Sequence, residues 1–558
     1  MPDRSTLTRH LSWVLCLSVV FGILSTPTAA KNIATPNSSV RTIENLTSSY
    51  DPMIDGFSFT NFTSADGTAL TSVEMRRLFG NGVCAQTPDK DGACKLTPAA
   101  ESWERWINSV AYLGLCQGVA MLSVAIHNGE IDQNDFGAFL PIDLEVTNND
   151  PLRREIAYWY ARGFTMPARS DVVKSSPNDA LQALYDTMSA SDKAPGVLRF
   201  RKLNGDGGHV VVPFAITETI SGSGVFDVSV YDPNYPFDSR TITFDTKANT
   251  WFYSPESDKT EDDYNGTATS QSIGFMSFES QKKPQICSFC TPPAGLAQFS
   301  NDFAFQSGFS FGTPPRSTDL SLPPVISGYP AQAIKINFSF DSNPLKSWLN
   351  PAQKYFTQNG EQAVTYVITG TGSITTATPI DFRHMGHGYT FNAYDLTLSA
   401  GEVDTFEVGV GGTAITYTTS SGAAPTFSVG FETTAADYDF QLGNFDFVAD
   451  DALTFETDEP NKVVSVAYNT AVLTEVVTFD FLMERIGDTS SEIFQSPEEG
   501  ITLGNDQILL IDFFDWDGNG KPLSMGYDAN FNGILDPDEI FTIADVGNGN
   551  QVWLPLVR

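Results

Sequence analysis

The sequence predicts an α+β domain, then an all-β sandwich domain, then a small tail around an Asp/Asn/Gly-rich loop. In the first part of the chain, apolar residues recur at helical spacing before the pattern changes to the alternation of strands. In the second part, short alternating runs are separated by turn residues about every eight to twelve positions, which is typical of a sandwich. The 558 residues are enough for two to four domains with cores of their own.

The N-terminal segment, residues 1–30, is typical of a secretory signal peptide. Arg4 and Arg9 give it a basic start, residues 13–24 are apolar, and Ala30 ends a small-residue cleavage site. No second apolar run of about 18 residues follows, so we expect no membrane span in the mature chain. These features predict a secreted protein, extracellular or periplasmic. Residues 31–56 are polar and are predicted to form a flexible lead-in.

Residues 57–280 form the predicted α+β domain. Thr97 and Pro98 are a cap and a first helical residue. Helices are predicted over residues 98–108, 116–126, 152–162 and 179–188. Strands are predicted over residues 210–219, 225–232, 241–244 and 250–253. The Ser-Gly-Ser-Gly run at 221–224 indicates that the first two strands form a hairpin.

Three further regions follow. Residues 281–330 are rich in Pro and Gly and predict a linker held in part by a disulfide. Residues 331–500 carry the alternating runs of the predicted β-sandwich. Residues 501–558 form the predicted tail.

The composition limits the classes of partner. Asp and Glu number 67 against 32 Lys and Arg, a net charge of −35. So acidic a chain repels nucleic acid and anionic membranes, and we expect no nucleic-acid partner. The acidity is consistent with a generally acidic secreted surface and with carboxylates that bind a cation.

Five cysteines remain after the predicted signal peptide. Cys84 and Cys94 bracket a polar loop, and Cys287 and Cys290 form a C-x-x-C pair. In an oxidising compartment each pair predicts a local disulfide. A zinc half-site or a redox pair at Cys287 and Cys290 would need a second C-x-x-C, a nearby His or a βαβ setting. Cys116 is left without a partner, and an unpaired thiol in a secreted protein indicates chemistry.

Cys116 opens an almost wholly apolar predicted helix. A cysteine nucleophile must react as its thiolate. The N-terminus of a helix lowers the pKa of a thiol and supplies N–H groups that can hold an oxyanion. The position of Cys116 therefore predicts a nucleophile, although a buried structural cysteine is the alternative.

Such a thiol needs a general base, and four histidines follow the signal peptide. His127 falls at the far end of the same predicted helix, and His384 and His387 lie beyond the linker. His209 opens a strand after Gly-Gly and is the remaining candidate.

The predicted hairpin returns Asp232 to the neighbourhood of His209, which makes it the candidate orienting group. A register shift of a few residues would place Asn234 there instead. Gln117, next to the thiol, is a weaker candidate for holding an oxyanion. The alternatives for His209 and Asp232 are a turn into a core strand and an Asp-Pro-Asn turn.

These residues resemble the papain-like cysteine peptidase superfamily, including its transglutaminase-like relatives, over roughly residues 80–255. The segments that carry the resemblance are Gly114-Leu115-Cys116-Gln117-Gly118, Gly208-His209-Val210-Val211 and Tyr231-Asp232-Pro233-Asn234. The resemblance implies a papain-like fold with Cys116 as nucleophile, His209 as general base and Asp232 as orienting group. It also implies a peptide or protein substrate.

The tail contains a second motif. Residues 528–539 match the twelve-position EF-hand loop, which binds Ca²⁺ through oxygen atoms. The predicted ligands are Asp528, Asn530, Asn532, Ile534, Asp536 and Glu539. An incomplete second loop begins upstream with Asp515, Asp517 and Asn519. The flanks are strand-like, so the loop resembles a dockerin-like or adhesin calcium loop, and we expect Ca²⁺ to stabilise the tail.

The sequence therefore predicts a secreted thiol hydrolase, most simply a cysteine peptidase with a Cys-His-Asp triad and a calcium-stabilised C-terminal region. Two alternatives remain. One is a transglutaminase-like acyl transferase. The other is a catalytically inactive, calcium-dependent surface-binding or adhesion protein with a cell-surface or matrix partner.

Overall fold

The structure is a computed structural model that describes most of residues 43–546. The positions inside that range that it does not describe are 64–69, 112–113, 166, 169–170, 175, 204–207, 256–262, 288, 291–293, 301–333, 341–342, 350–354, 360–362, 371–379, 387, 410–411, 434–435, 459–462, 471–475, 488–490, 506, 513–520, 531 and 538–539. The predicted signal peptide lies outside the described residues.

The helices lie in the first half of the chain. They are α1 (Ser72–Phe79), α2 (Pro98–Ala111), α3 (Cys116–His127), α4 (Asp150–Arg162), α5 (Pro177–Ala190) and α6 (Phe278–Lys282). The four predicted helices correspond to α2–α5, and their ends differ by at most three residues. Pro98 begins α2 as predicted, and Thr97 accepts the Glu101 N–H at 2.9 Å. Helix α1 was not predicted.

The helices accompany an antiparallel sheet. Its strands are β1 (Leu46–Thr47), β2 (Gly196–Arg201), β3 (Gly208–Glu218), β4 (Val225–Tyr231), β5 (Ser239–Asp245), β6 (Thr250–Tyr253), β7 (Tyr264–Gly266) and β8 (Ile273–Ser277). The strand order is β7-β6-β5-β4-β3-β2-β8, and β1 pairs with β3. The predicted hairpin is β3–β4.

Helix α3 is the centre of the first core. It packs against α4, β2 and β3, and every residue from Cys116 to Ile126 is buried. Gly118 permits the contact with α4, because a Cβ there would lie 2.2 Å from the Ile156 carbonyl oxygen. The apolar pattern of this helix is therefore a consequence of burial on nearly all sides.

The second half of the chain is all β. Its strands are β9 (Ala294–Ser300), β10 (Ile334–Phe340), β11 (Asn343–Leu349), β12 (Tyr355–Asn359), β13 (Val364–Gly370), β14 (Ile380–Gly386), β15 (Tyr389–Leu396), β16 (Val403–Val408), β17 (Ala414–Thr419), β18 (Thr426–Glu432), β19 (Asp437–Gly443), β20 (Ala452–Asp458), β21 (Val463–Asn469), β22 (Val476–Ile486), β23 (Ser491–Gln495), β24 (Ile501–Gly504), β25 (Ile508–Asp512), β26 (Leu523–Tyr527) and β27 (Ile540–Ile543).

Two antiparallel sheets are formed by these strands. One has the order β11-β10-β13-β16-β17-β20-β21-β25-β26-β27, and the other has the order β12-β9-β14-β15-β18-β19-β22-β23, with β24 paired to β22. Side chains from both sheets form one aromatic-rich core, in which Phe382 stacks on Phe406 at 4.6 Å between ring centroids. The arrangement is sandwich-like, as the alternating pattern predicts.

The helical half and the sandwich-like half belong to one compact unit, Glu44–Arg558. Helix α2 lies against β14, β15, β18 and β19. Ser102 donates to Asn392 Oδ1 at 2.7 Å in a buried contact. At the edge, Lys95 Nζ lies 3.0 Å from Glu484.

Strand pairing crosses three of the predicted boundaries. The lead-in is not flexible throughout, because β1 pairs with β3 and Tyr50 is buried. The predicted linker contains β9, which pairs with β12 and β14, and its Pro/Gly-rich flanks conceal the strand in the sequence. The predicted tail is not separate, because β25 pairs with β21 and extends the sandwich.

The predicted disulfides Cys84–Cys94 and Cys287–Cys290 are both present, and Cys116 is free and buried. In the described part of the chain, no helix combines the length and apolar character that a membrane crossing requires.

Candidate active site

His209 and Asp232 form a buried pair. His209 Nε2 lies 2.6 Å from Asp232 Oδ1, and the two side chains are 5% and 0% exposed. His209 lies at the start of β3, and Asp232 follows the last residue of β4. The predicted hairpin thus brings together the two residues that the sequence analysis paired.

A turn holds Asp232 in this orientation. The Tyr235 N–H donates to the Asp232 carbonyl at 2.9 Å. Inside that turn, the Asn234 N–H donates to Asp232 Oδ1 at 2.8 Å, which is an Asx-turn contact. Asn234 therefore supports the carboxylate through its backbone, while its own side chain is exposed. Asp232 is the residue that reaches His209.

Tyr253, at the end of β6, completes the support of the carboxylate. Its hydroxyl donates to Asp232 Oδ2, so both oxygens of the carboxylate are hydrogen-bonded. Phe200 packs edge-on to His209, with 5.8 Å between ring centroids, and also contacts Tyr253 at 5.2 Å. These rings exclude water from the pair. The sequence analysis missed Tyr253, because an aromatic residue in an alternating strand is usually a core residue.

Cys116, at the first position of α3, is the other partner of His209. The thiol lies near enough to the imidazole to contribute to the rise in its pKa. Since Nε2 is occupied by Asp232, the opposite ring nitrogen, Nδ1, is the atom available to the thiol. Cys116 is 3% exposed and shares a core cluster with residues of α3, α4, β2 and β3.

Electrostatics favour a protonated His209. Burial alone would lower the pKa of this imidazole, but the charge and hydrogen bond of Asp232, followed by those of Cys116, raise it to about 10. Burial alone would raise the pKa of Asp232, but the charge of His209 and hydrogen bonds from His209, Tyr253 and Asn234 hold it below its ordinary value. Because Asp232 is ionised, Nε2 carries the proton of this bond and donates it to the carboxylate.

Asn61 lies beside the N-terminus of α3 and was not predicted as a site residue. Its Oδ1 accepts the Leu115 N–H at 2.9 Å, and its own N–H donates to the Pro233 carbonyl at 2.8 Å. It thus bridges the residue before Cys116 and the residue after Asp232. Gly114 leaves space for the Asn61 side chain, because a Cβ at this position would lie 2.9 Å from Asn61 Nδ2. Its φ of +130° also favours glycine. The sequence presents Asn61 only as part of an Asn-x-Thr glycosylation motif.

Gln117 is not brought to the His209–Asp232 pair. Its amide donates to the Tyr160 carbonyl at 3.2 Å and lies against Gly163. Successive helical residues point in directions about 100° apart, so a neighbour of Cys116 in sequence faces α4 instead. Its contact is consistent with holding α3 and α4 together.

The other histidines are separate from this site. His127 ends α3 and forms an ion pair with Asp55 at 2.9 Å. His384 is fully buried in β14, between the hydroxyls of Tyr366 and Tyr389. His387 lies outside the described residues.

Part of the predicted calcium loop is described, between β26 and β27. Asp528 is 3% exposed, and its carboxylate accepts the N–H groups of Asn532 at 3.1 Å and Gly533 at 2.8 Å. The side-chain amides of Asn530 and Asn532 both donate to Asp536 Oδ2, at 2.8 and 3.0 Å. The polar side chains of this part of the loop are therefore hydrogen-bonded to one another and to the loop backbone.

Four of the predicted calcium ligands lie outside the described residues: Glu539, Asp515, Asp517 and Asn519. Ile534 is described, and its N–H donates to Asn532 Oδ1 at 2.7 Å. Among the described residues, no group of three or more His, Cys, Asp or Glu side chains is arranged to hold a metal ion.

Comparisons with protein-family models, with curated proteins and with solved structures find no match to this chain, so the chemistry of the site rests on its own geometry.

Proposed function

We propose that this protein is a secreted thiol hydrolase, most simply a cysteine peptidase, with Cys116 as nucleophile. The observation that carries the proposal is the buried chain of contacts from Tyr253 through Asp232 and His209 to Cys116. A nucleophile, a base and an orienting group in hydrogen-bonding sequence are the general requirement for covalent acyl transfer.

The reaction follows from these positions. The Cys116 sulfur attacks the acyl carbon of a peptide bond, and the proton held by His209 passes to the leaving amine as the C–N bond breaks. Water then attacks the thioester, His209 accepts its proton, and the C–S bond breaks to release the acid and restore the Cys116 thiolate beside protonated His209. Asp232 keeps the imidazole ring in one orientation and stabilises its charged form throughout.

Asn61 is the residue best placed to hold the oxyanion of the tetrahedral intermediate. Its amide lies beside the first turn of α3, where backbone N–H groups have no intrahelical partners. A side-chain amide together with a backbone N–H is a common oxyanion hole. This assignment replaces Gln117, whose amide is bound to Tyr160.

The test is the pH dependence of Cys116 alkylation by iodoacetamide in the folded full chain. We expect Cys116 to react well below the ordinary thiol pKa of about 8.5, and His209→Ala to abolish that advantage. His127→Ala is the matched control, because His127 ends the same helix but does not contact the thiol. A wild-type Cys116 that titrates as an ordinary thiol would contradict the proposal.

Asn61→Ala provides a second readout. It leaves the thiol and the imidazole in place, so low-pH alkylation is retained, while turnover of a peptide substrate falls roughly 10²–10³-fold. Equal loss of both readouts would show that Asn61 only maintains the fold around α3.

The loop at residues 528–539 is proposed to bind Ca²⁺ as a structural ion. The convergence of Asp528, Asn530, Asn532 and Asp536 supports this role, and Gly533, at φ +72°, makes the turn that the loop requires. Calcium should raise the melting temperature, and Asp528→Asn should remove the effect. A chelator that abolished turnover without lowering the melting temperature would contradict a purely structural role.

A further inference from the structure

His127 belongs to a second cluster of polar side chains, at the opposite end of α3 from Cys116. Its Nε2 lies 3.0 Å from Ser49 Oγ, and its Nδ1 lies 2.9 Å from Asp55 Oδ2. A hydroxyl, an imidazole and a carboxylate in this order of contacts are the parts of a serine nucleophile site. Because α3 has 12 residues, the two clusters are about 17 Å apart along the helix.

The contacts of the imidazole decide which ring nitrogen faces the hydroxyl as an acceptor. A carboxylate only accepts hydrogen bonds, so Nδ1 of His127 donates to Asp55. In the neutral ring, the lone pair of Nε2 then faces Ser49 Oγ. The tautomer is therefore the one in which an imidazole can take a proton from a serine hydroxyl.

Ser49 is held beside the imidazole by the Asp192 carbonyl. This carbonyl accepts the Ser49 N–H at 2.6 Å and lies 2.8 Å from Ser49 Oγ. The hydroxyl thus has two acceptors, the carbonyl and Nε2 of His127. Because a hydroxyl hydrogen turns freely about the Cβ–Oγ bond, the carbonyl fixes the position of Oγ, and the proton can still pass to Nε2.

Neighbouring residues hold the base and the carboxylate in place. Tyr50 packs edge-on to His127 with 5.3 Å between ring centroids, and its hydroxyl lies 3.0 Å from Ser123 Oγ of α3. Asp55 Oδ2 accepts the Asp51 N–H at 2.7 Å, and the Asp51 carbonyl accepts the Asp55 N–H at 2.7 Å. The fold therefore pre-organises both groups, as positioned acid–base catalysis requires.

The nucleophile of this cluster is accessible to solvent. Ser49 is exposed, and the side chains of His127 and Asp55 are 13% and 15% exposed. The turn that carries Asp55 also presents Met53 and Ile54, which are 52% and 46% exposed. These two side chains offer apolar surface to a short acyl group next to the reactive hydroxyl.

Lys193 places a positive charge at the same corner of the molecule. It follows Asp192, whose carbonyl contacts Ser49. Its Nζ donates to the carbonyl of Asn128, the residue after His127, at 3.1 Å. An ammonium group in this position stabilises the negative charge that develops on an acyl oxygen during attack.

We propose that Ser49, His127 and Asp55 form a second acyl-transfer site, which hydrolyses esters with short apolar acyl groups. Ser49 Oγ attacks the ester carbon, and its proton passes to His127 Nε2. The C–O bond then breaks, and the alcohol leaves with that proton. Water attacks the acyl-serine and gives a proton to Nε2, which returns it to Oγ as the acid is released. Asp55 stabilises the charged imidazole in both steps.

The experiment uses the full chain with Cys116→Ala, so that the result does not depend on the proposal for the thiol. We expect this variant to hydrolyse p-nitrophenyl butyrate and to be labelled at Ser49 by a fluorophosphonate, as located by peptide mass spectrometry. Ser49→Ala should abolish the labelling, and His127→Gln should slow both reactions roughly 10²-fold or more. Ser189→Ala is the matched control, because Ser189 is an exposed serine whose hydroxyl donates to the Tyr185 carbonyl at 2.7 Å instead of facing an imidazole.

Asp55→Asn separates a catalytic role from a structural one. It keeps the size of the side chain but removes the charge that stabilises the imidazolium, so kcat should fall roughly tenfold or more while KM is retained. Met53→Ser should raise KM for the butyrate ester and leave that for the acetate ester nearly unchanged. Ester hydrolysis and fluorophosphonate labelling that are unaffected by Ser49→Ala and His127→Gln would overturn the proposal, since the cluster would then only fasten the segment around Ser49 to α3.

Discussion

A buried histidine lies in a strand of each half of the described structure, and the two imidazoles have opposite protonation behaviour. In the helical half, His209 contacts Asp232 and Cys116, and its pKa is raised to about 10. In the sandwich-like half, His384 lies 3.0 Å from the hydroxyls of both Tyr366 and Tyr389. Burial lowers the pKa of His384 to about 3.

The difference shows that burial alone does not make a histidine a useful base. Burial favours the neutral imidazole in both places. A buried carboxylate reverses that preference at His209, so the ring can hold the proton that a thiol gives up. His384 has neutral hydroxyl partners and is suited to filling and cross-linking the sandwich core.

The largest effect is expected for Asp232→Asn, because this substitution gives His209 a neutral partner like those of His384. We expect the pKa of His209 to fall and the thiolate of Cys116 to be lost at low pH. Alkylation by iodoacetamide at pH 6 should slow roughly 10²-fold as the thiol returns towards its ordinary pKa of about 8.5. An unchanged rate with an intact near-ultraviolet circular dichroism spectrum would show that Asp232 does not control the pair.

The second prediction concerns stability against pH. His209 has a folded pKa above its unfolded value of about 6.5, so its contribution is fully present below pH 6.5 and is lost as the pH rises towards 10. His384 has a folded pKa below that value, so its contribution is present above pH 6.5 and is lost as the pH falls towards 3.

Urea unfolding of wild type, His209→Gln and His384→Gln measures these contributions as differences in unfolding free energy. The wild-type advantage over His209→Gln should shrink between pH 6.5 and 10, and that over His384→Gln should shrink between pH 6.5 and 4. Each slope is at most about 1.4 kcal/mol per pH unit. Slopes of the same sign would contradict the assigned protonation states.

The smallest expected effect concerns the contact between the two halves. Glu484→Gln removes the charge that pairs with Lys95, and because both side chains are near the surface it should cost about 0.5–1 kcal/mol. The cost should vanish in 0.5 M salt. Ser102→Ala, in the buried contact with Asn392, should cost about 1 kcal/mol at any salt concentration. Urea midpoints measure both, and a salt-dependent Ser102→Ala effect would contradict this assignment.

The sequence was sufficient for the parts of the site that are local in the chain. The apolar run after Cys116 predicted α3, and the Gly-containing turn predicted the hairpin that carries His209 and Asp232. The predicted register left Asn234 as an alternative to Asp232 for the orienting group. The turn in which Asp232 accepts the Asn234 N–H directs the Asp232 carboxylate, and not the Asn234 side chain, towards His209.

The parts that failed depend on contacts between distant segments. Asn61 reaches the site through bonds to Leu115 and Pro233, neither of which is marked by its own sequence. His384 lies in a buried strand between the hydroxyls of Tyr366 and Tyr389, and no local pattern in the sequence marks these partners. Such contacts join residues that are far apart in the sequence, and the hydrophobic periodicity of a single segment does not predict them.

The packing of α2 on the sandwich has a consequence for the order of folding. Helix α2 is synthesised early, but the strands that receive Ser102 and Pro98 come from β15 and β18, far later in the chain. The helical half therefore finishes its synthesis with one face of α2 still uncovered, and apolar surface left exposed in this way promotes aggregation until the later strands have folded. A nascent chain stopped before β14 should aggregate more readily than the full-length protein.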